Sequence, residues 1–160
     1  MIILKEKSQF DFIQDYTVPL SNAVTCRMIG LPPSYIPKVK EWGEKMFKIA
    51  GLYVNRADFI ILENTSKDIV TTIEQVIEDE TYIADSGFIY NIITHFDSQG
   101  TLSENMDKII SWIVLLIFSS LETTSGAIGN AVYNLINNPN EFKKILNNEV
   151  KPQLAIEELL

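Results

Sequence analysis

From Ile109 to Ser125 the chain reads IISWIVLLIFSSLETTS, an apolar run that gives way to hydroxyl side chains grouped around one carboxylate, Glu122. Upstream, Thr101 with Glu104 forms a capping-box pattern, and no proline follows until Pro139. The pattern predicts one long central helix over about 102–137, roughly 50 Å from end to end at about 1.5 Å per residue. Because Ile109 to Phe118 is apolar around nearly its whole circumference, the expectation is burial on all sides at the centre of a larger domain. Glu122 and its hydroxyl neighbours are then expected inside the core, where an unpaired carboxylate is expensive.

Two readings of that polar interruption stand side by side. In the first, Ser119, Ser120, Thr123, Thr124 and Ser125 allow close helix packing and bond back to carbonyls one turn earlier, with Glu122 in a structural ion pair. In the second, an acid beside a threonine hydroxyl forms a proton relay toward something bound against the helix. Spacing alone does not separate them.

Outward from this helix the punctuation stays helical. Asp97-Ser98-Gln99-Gly100 closes a short helix that begins at Asp85 and Ser86 and runs to about Phe96. Before it, Ile69, Ile73, Val76, Ile77 and Ile83 predict a helix from about Ser66 to Ala84, reached through a less patterned connection from Gly51 to Leu62. Ser34 is placed to cap a helix from Tyr35 to Ile49, whose other face carries Lys38, Lys40, Lys45 and Lys48. The acids Glu74, Glu78, Asp79 and Glu80 oppose the dipole of their own helix unless the lysine-rich helix lies antiparallel beside it. Asp11 with Gln14 is a second capping-box pattern; Pro19 then interrupts, so a short turn precedes a helix from Val18 to Ile29, ended by Gly30, Pro32 and Pro33. Weak strand signals occur only around Ile2 to Leu4 or Ser8 to Phe10. The fold class is therefore mainly α, with little or no sheet.

Composition narrows the function classes. With 160 residues, 46% of them hydrophobic, the chain suits one domain or a large piece of one. A net charge of −8 argues against nucleic acid, which needs a basic footprint. The Ile109–Phe118 run is shorter than the roughly 20 apolar residues of a spanning helix, and no basic segment with a cleavage site opens the chain, so no membrane is expected. The reading is a soluble, cytoplasmic protein.

One cysteine, Cys26, and one histidine, His95, leave no disulfide and no zinc spacing, and the metal expectation is none. Cys26 falls in the apolar phase of its helix and reads as inert core filling. His95, at a helix end beside polar turn residues, reads as a solvated or capping histidine.

The stretch Leu115-Leu116-Ile117-Phe118-Ser119-Ser120-Leu121-Glu122-Thr123-Thr124 resembles the central I helix of bacterial cytochromes P450, haem-thiolate monooxygenases whose motif is alanine or glycine, glycine, any residue, acid, threonine. Asp15-Tyr16-Thr17-Val18-Pro19-Leu20 through Ile29-Gly30-Leu31-Pro32 resembles the family's E helix and its exit. Asn137-Asn138-Pro139-Asn140 resembles the turn into the J helix, and Ala155 to Leu160 the start of the K helix. The resemblance covers essentially the whole chain and implies a single partial P450 domain over 1–160, helices E, F, G, H, I, J and the start of K.

What the resemblance implies for function follows residue by residue. It makes Glu122 and Thr123 the acid and alcohol that manage protons and water for oxygen activation on the distal side of haem, and Leu115, Phe118, Ser119 and Ser120 the lining of a substrate pocket. Tyr35–Ile49 and Ser66–Ala84 become the lid helices F and G, with Leu52, Tyr53, Phe59 and Ile60 bordering substrate. Expected partners are a small organic substrate and an electron-transfer protein. Two departures stand out: Ser119 and Ser120 replace the family's small residues ending in glycine, a serine at 120 crowding the oxygen groove, and Glu158 matches the Glu of Glu-x-x-Arg without the arginine. The N-terminal part, with the basic residue and tryptophan that grip the haem propionates, and the cysteine loop of the C-terminal haem-binding region have no counterpart. The expectation is therefore a truncated chain that lacks the cysteine ligand, does not bind haem and is inactive alone. The alternatives are a non-enzymatic helical binding or interaction module, which self-associates, and one half of a split monooxygenase completed by a missing C-terminal half.

Overall fold

Prolines and glycines set several of the element limits in the computed structural model, which describes residues 9–48, 53–82 and 86–159. Among the described residues there are seven α-helices and no strand: α1 Val18–Ile29, α2 Ile36–Phe47, α3 Arg56–Glu78, α4 Gly87–Ser98, α5 Leu102–Asn137, α6 Pro139–Leu146 and α7 Pro152–Leu159. The mainly α expectation holds, and the long helix occupies the predicted span. Ile2 to Leu4 lies outside the described residues, while Gln9 and Phe10 are irregular.

The start of α1 shows how the chain accommodates Pro19. Asp11 accepts from the backbone of Ile13 and Gln14 at 2.9 and 3.0 Å, and its own N–H donates to Asp15 at 2.9 Å, so Asp15 rather than Gln14 completes the box. A π turn, Ile13–Thr17, follows directly. Widening the turn just before a residue that has no N–H lets the helix continue through it. At the other end Gly30 takes φ 98, and Leu31 donates to the Cys26 carbonyl at 3.0 Å, a glycine-terminated helix end.

Two helix boundaries depart from expectation. Ser34 does not cap; it lies inside a single 3-10 turn, Pro33–Tyr35, that leads into α2. α3 begins ten residues earlier than expected, at Arg56 rather than Ser66, because Asn55 and Asp58 form a reciprocal capping box with Asp in place of the usual Glu or Gln. It also stops early, at Glu78, where Glu80 adopts φ 51 and Thr81 donates back to the Val76 carbonyl.

The chain folds as two compact units, Leu20–Glu122 and a smaller one made of residues up to Pro19 with Thr123–Leu160. In the larger unit α2 and α3 pack antiparallel: Lys38 reaches Asp68 at 3.0 Å and Thr72 at 2.8 Å, and the Trp42 indole N–H donates to Asp68 at 2.7 Å. The expected antiparallel pairing is present, but the partner is mid-helix Asp68 rather than the C-terminal acids. Burial alone would raise the Asp68 carboxyl; the bonds from Trp42 and Lys38 and the charges of Lys38 and Lys45 outweigh it and hold the group below its ordinary value. Around this pair Trp42, Val39, Ile69, Ile73, Val76, Ile89, Ile29 and Leu31 are fully buried with Ile109, Ile113 and Ile117 of α5. Each such side chain contributes on the order of 1.5–3 kcal/mol by leaving water.

Backbones also touch in this unit. Gly30 and Gly87, both with positive φ, lie so close that a Cβ on Gly87 would fall 2.5 Å from the Gly30 Cα. The exit of α1 and the start of α4 therefore meet at two glycines.

In the smaller unit Ile13 packs on the backbone of Gly129, where a Cβ would collide with its tip. Ala155 of α7 is buried, whereas Tyr133, Ile136, Leu146, Leu154 and Ile156 are exposed.

Candidate functional site

Successive residues on a helix turn by about 100°, so α5 sorts its residues into two faces. Ile109, Ile113, Ile117 and Leu121 recur every four residues and are buried. Trp112, Leu115, Phe118, Ser119, Glu122 and Thr123 fall on the opposite side and are exposed. The expectation of burial on all sides is thus corrected: one stripe packs, Val114 and Leu116 flank it half-buried, and the opposite face, Leu115 at 59% exposure included, points outward. Circumferential hydrophobicity reports what a helix can bury, not how many sides the described residues cover. By length and composition α5 is also long and apolar enough to cross a membrane, a test that the core helix of a soluble protein meets equally; Ile109, Ile113 and Ile117 along it are buried.

The candidate residues of α5 therefore share one helix face with a single exception. Ser120 turns toward α1: its hydroxyl accepts from Thr25 at 2.9 Å and bonds the Leu116 carbonyl. Ser119 stays on the exposed face, with a long 3.5 Å contact to the same carbonyl.

Aromatic side chains border the exposed face. Phe47 at the end of α2 meets Phe118 at 6.5 Å between ring centroids, and Trp112 stacks on Phe96 at 6.4 Å with its edge contact to Phe88 at 6.3 Å. On the side of α2 the turn before Glu122 is equally close-packed, since a Cβ on Gly43 would collide with Leu121 Cδ1. Thr25 and Gly43 escaped the sequence reading. A glycine within an otherwise well-formed helix was the available signal for the second, and nothing local announced the first.

Other candidates lie apart from this face. Glu158, exposed on α7, borders a cavity of about 510 Å³ with Asn134, Asn138 and Glu141. Phe59 and Ile60 belong to α3 rather than to a connection, and with Tyr53 they are exposed; Leu52 lies outside the described residues. His95 is exposed in the last turn of α4, as expected. Cys26 is buried, its Sγ 3.5 and 3.4 Å from the carbonyls of Leu31 and Pro32, and burial pushes its thiol up to about 11.

No protein-family model matches the chain. It is 27% identical over 154 residues to the cytochrome P450 CYP107DY1 of Priestia megaterium, covering 96% of this chain and 36% of that one. To YjiB of Bacillus subtilis, named as a cytochrome P450, it is 24% identical, covering 96% of this chain and 39% of that one. The chain thus spans little more than a third of the curated relatives it matches. Its fold resembles the crystal structure of CalO2 with a TM-score of 0.76 at 21% identity, over 94% of this chain and 37% of that one. It also resembles P450BioI, solved in complex with an acyl carrier protein ligated to hexadec-9Z-enoic acid, with a TM-score of 0.79 at 21% identity, over 99% of this chain and 40% of that one. In sequence and in fold the chain is similar to cytochromes P450 over a part of their length.

Proposed function

We propose that this chain provides the oxygen-side helix of a haem monooxygenase, with Glu122 and Thr123 as the acid and alcohol that hold water and pass protons there. The observation that carries the reading is the exposed face of α5, where a carboxylate and a hydroxyl adjoin Ser119 and the apolar Leu115 and Phe118. A carboxylate exchanges protons with water, and a neighbouring hydroxyl both donates and accepts, so the pair can move a proton along the face. Leu115 and Phe118 suit the apolar body of a small organic substrate. An electron-transfer protein completes the set of partners.

Haem of this family requires an axial thiolate. Cys26 does not fit that part: it is buried in α1, hydrogen-bonded to two carbonyls, and its thiol is pushed up to about 11, the reverse of thiolate stabilisation. In this reading iron ligation falls to a residue other than Cys26.

The test has two arms. Purified chain reduced with added haem and carbon monoxide is expected to show no thiolate-type Soret band; a clear band would overturn the exclusion of Cys26. In the second arm, residues 101–137 replace the matching helix of CYP107DY1. Turnover should survive the exchange, and Glu122→Gln or Thr123→Ala should then lower it about a hundredfold, the ordinary scale of general acid–base assistance. Full turnover in both variants would sink the assignment.

The exposed Tyr133, Ile136, Leu146, Leu154 and Ile156 favour a second reading, in which this surface associates with a copy of the chain or with further P450 structure. A monomer at every concentration in sedimentation would count against it.

A further inference from the structure

The two residues that precede Glu122 are each committed to a different neighbouring helix. Ser120 is held by Thr25 of α1, a residue 2% exposed, whose hydroxyl donates to the serine oxygen at 2.9 Å. The serine passes the chain of bonds on to the Leu116 carbonyl, one turn back on α5. Leu121, next along, lies against Gly43 of α2, where the hypothetical Cβ would stand 3.3 Å from the leucine Cγ and closer still to Cδ1. Leu121 is itself buried.

Side chains at adjacent helix positions point about 100° apart, so fixing both fixes the rotation of the helix about its own axis. We infer that Thr25, Ser120, Gly43 and Leu121 are positioning residues for Glu122, a two-sided clamp that sets the direction in which its carboxylate leaves α5. The inference rests on the reading of Glu122 as a proton-handling group.

The geometry makes the clamp consequential. A side-chain tip lies about 5–6 Å from the helix axis, so a roll of about 10° moves it about 1 Å. A displacement of that size at a reacting group costs about a hundredfold in rate. Serine at position 120 is the source of half the clamp, since glycine, the residue of the P450 motif at that place, has no hydroxyl to offer Thr25. Ser120 also bonds back to the carbonyl four residues earlier, a contact of the kind that often accompanies local helix bending.

The experiment uses the full chain, labelled so that the side-chain carboxylate carbon of Glu122 is read by NMR. Ser120→Ala and Thr25→Val should each displace that resonance, and the double variant should displace it no further than either alone. Gly43→Ala should displace it as well, and Gly43→Ala combined with Leu121→Ala should return it most of the way, because the colliding methyl groups are gone. Ile69→Val, a core change of α3, lowers stability and should leave the resonance in place. An unmoved resonance in Ser120→Ala and Thr25→Val, or one moved as far by Ile69→Val, would overturn the clamp. If Gly43→Ala does not fold, the Ser120 and Thr25 variants decide alone. The readout involves no haem, so the clamp and the proton-handling role fail separately: the first in these spectra, the second in the turnover of the chimera.

Discussion

The larger unit, Leu20–Glu122, and the smaller one are built from the same kind of helix and differ in what they do with apolar side chains. The larger encloses Trp42, Ile69, Ile73, Ile89, Ile113 and Ile117 with no more than 1% exposure. The smaller, among the described residues, buries Thr17, Ser125 and Ala155 and leaves Tyr133, Ile136, Leu146, Leu154 and Ile156 exposed. Its helices α6 and α7 are eight residues each, a length that is marginal in water without tertiary support. Stability is therefore concentrated in the larger unit. An apolar sequence pattern states only a capacity for burial, which the larger unit uses and the smaller leaves open.

The sharpest test of this contrast uses Cys26, which can be alkylated only when the larger unit opens. At pH 8 its labelling should be at least about a thousandfold slower than that of an unstructured thiol, equivalent to an opening free energy of about 4 kcal/mol or more. Labelling at the free-thiol rate would remove the distinction between the units. The same burial gives a pH dependence. The raised thiol adds stability that is complete below the ordinary cysteine range and is lost as pH rises through about 11, visible as a falling urea midpoint in alkali.

Next in size, Ile117→Ala should lower stability by about 3–4 kcal/mol in urea unfolding, the scale of an isoleucine cavity in a packed core. Its counterpart Leu146→Ala, on exposed α6, should stay within about 0.5 kcal/mol. Equal losses would show that the outer surface of α6 is packed in solution.

A smaller effect belongs to the clamp between α2 and α3. The Asp68 carboxyl is held below its ordinary value, so its stabilisation is present above the unfolded aspartate range and is lost as pH falls through the folded value. Since Lys38 and Asp68 are 38% and 48% exposed, screening limits the worth of the pair to about 0.5–1 kcal/mol. Asp68→Asn should remove that share of the acid sensitivity, measured as urea midpoints between about pH 3 and 6. The smallest change is expected of Lys67→Ala: its ion pair with Glu63 lies on the open surface of α3, and the urea midpoint should hold.

The span of α5 was legible because its capping pattern, its uninterrupted length and Pro139 are all local signals. The start of α3 was not, because Asn55 with Asp58 is a rarer form of the capping box, and the apolar Phe59 and Ile60 read as connection although they are helical. At the candidate site, Glu122 and Thr123 stood out as an acid beside a hydroxyl, and Ser119 joined them only through the resemblance to the P450 motif. Their exposure was not legible, since it depends on which side of α5 the other helices cover. The orientation of Ser120 was illegible for a sharper reason: its partner, Thr25, lies 95 residues away, and no local pattern encodes a bond across that distance.

The meeting of Gly30 and Gly87 makes the stretch from Leu31 to Ser86 a closed loop whose two ends are stapled backbone to backbone. Closure cost grows only slowly with loop length. α2 and α3 thus form a cassette: insertions or deletions inside it change its own reach while the crossing of α1 and α4 keeps its geometry. The two glycines, by contrast, are constrained for different reasons: a side chain on Gly87 collides with the Gly30 backbone and pushes the ends apart, whereas one on Gly30 has room but is strained by its positive φ.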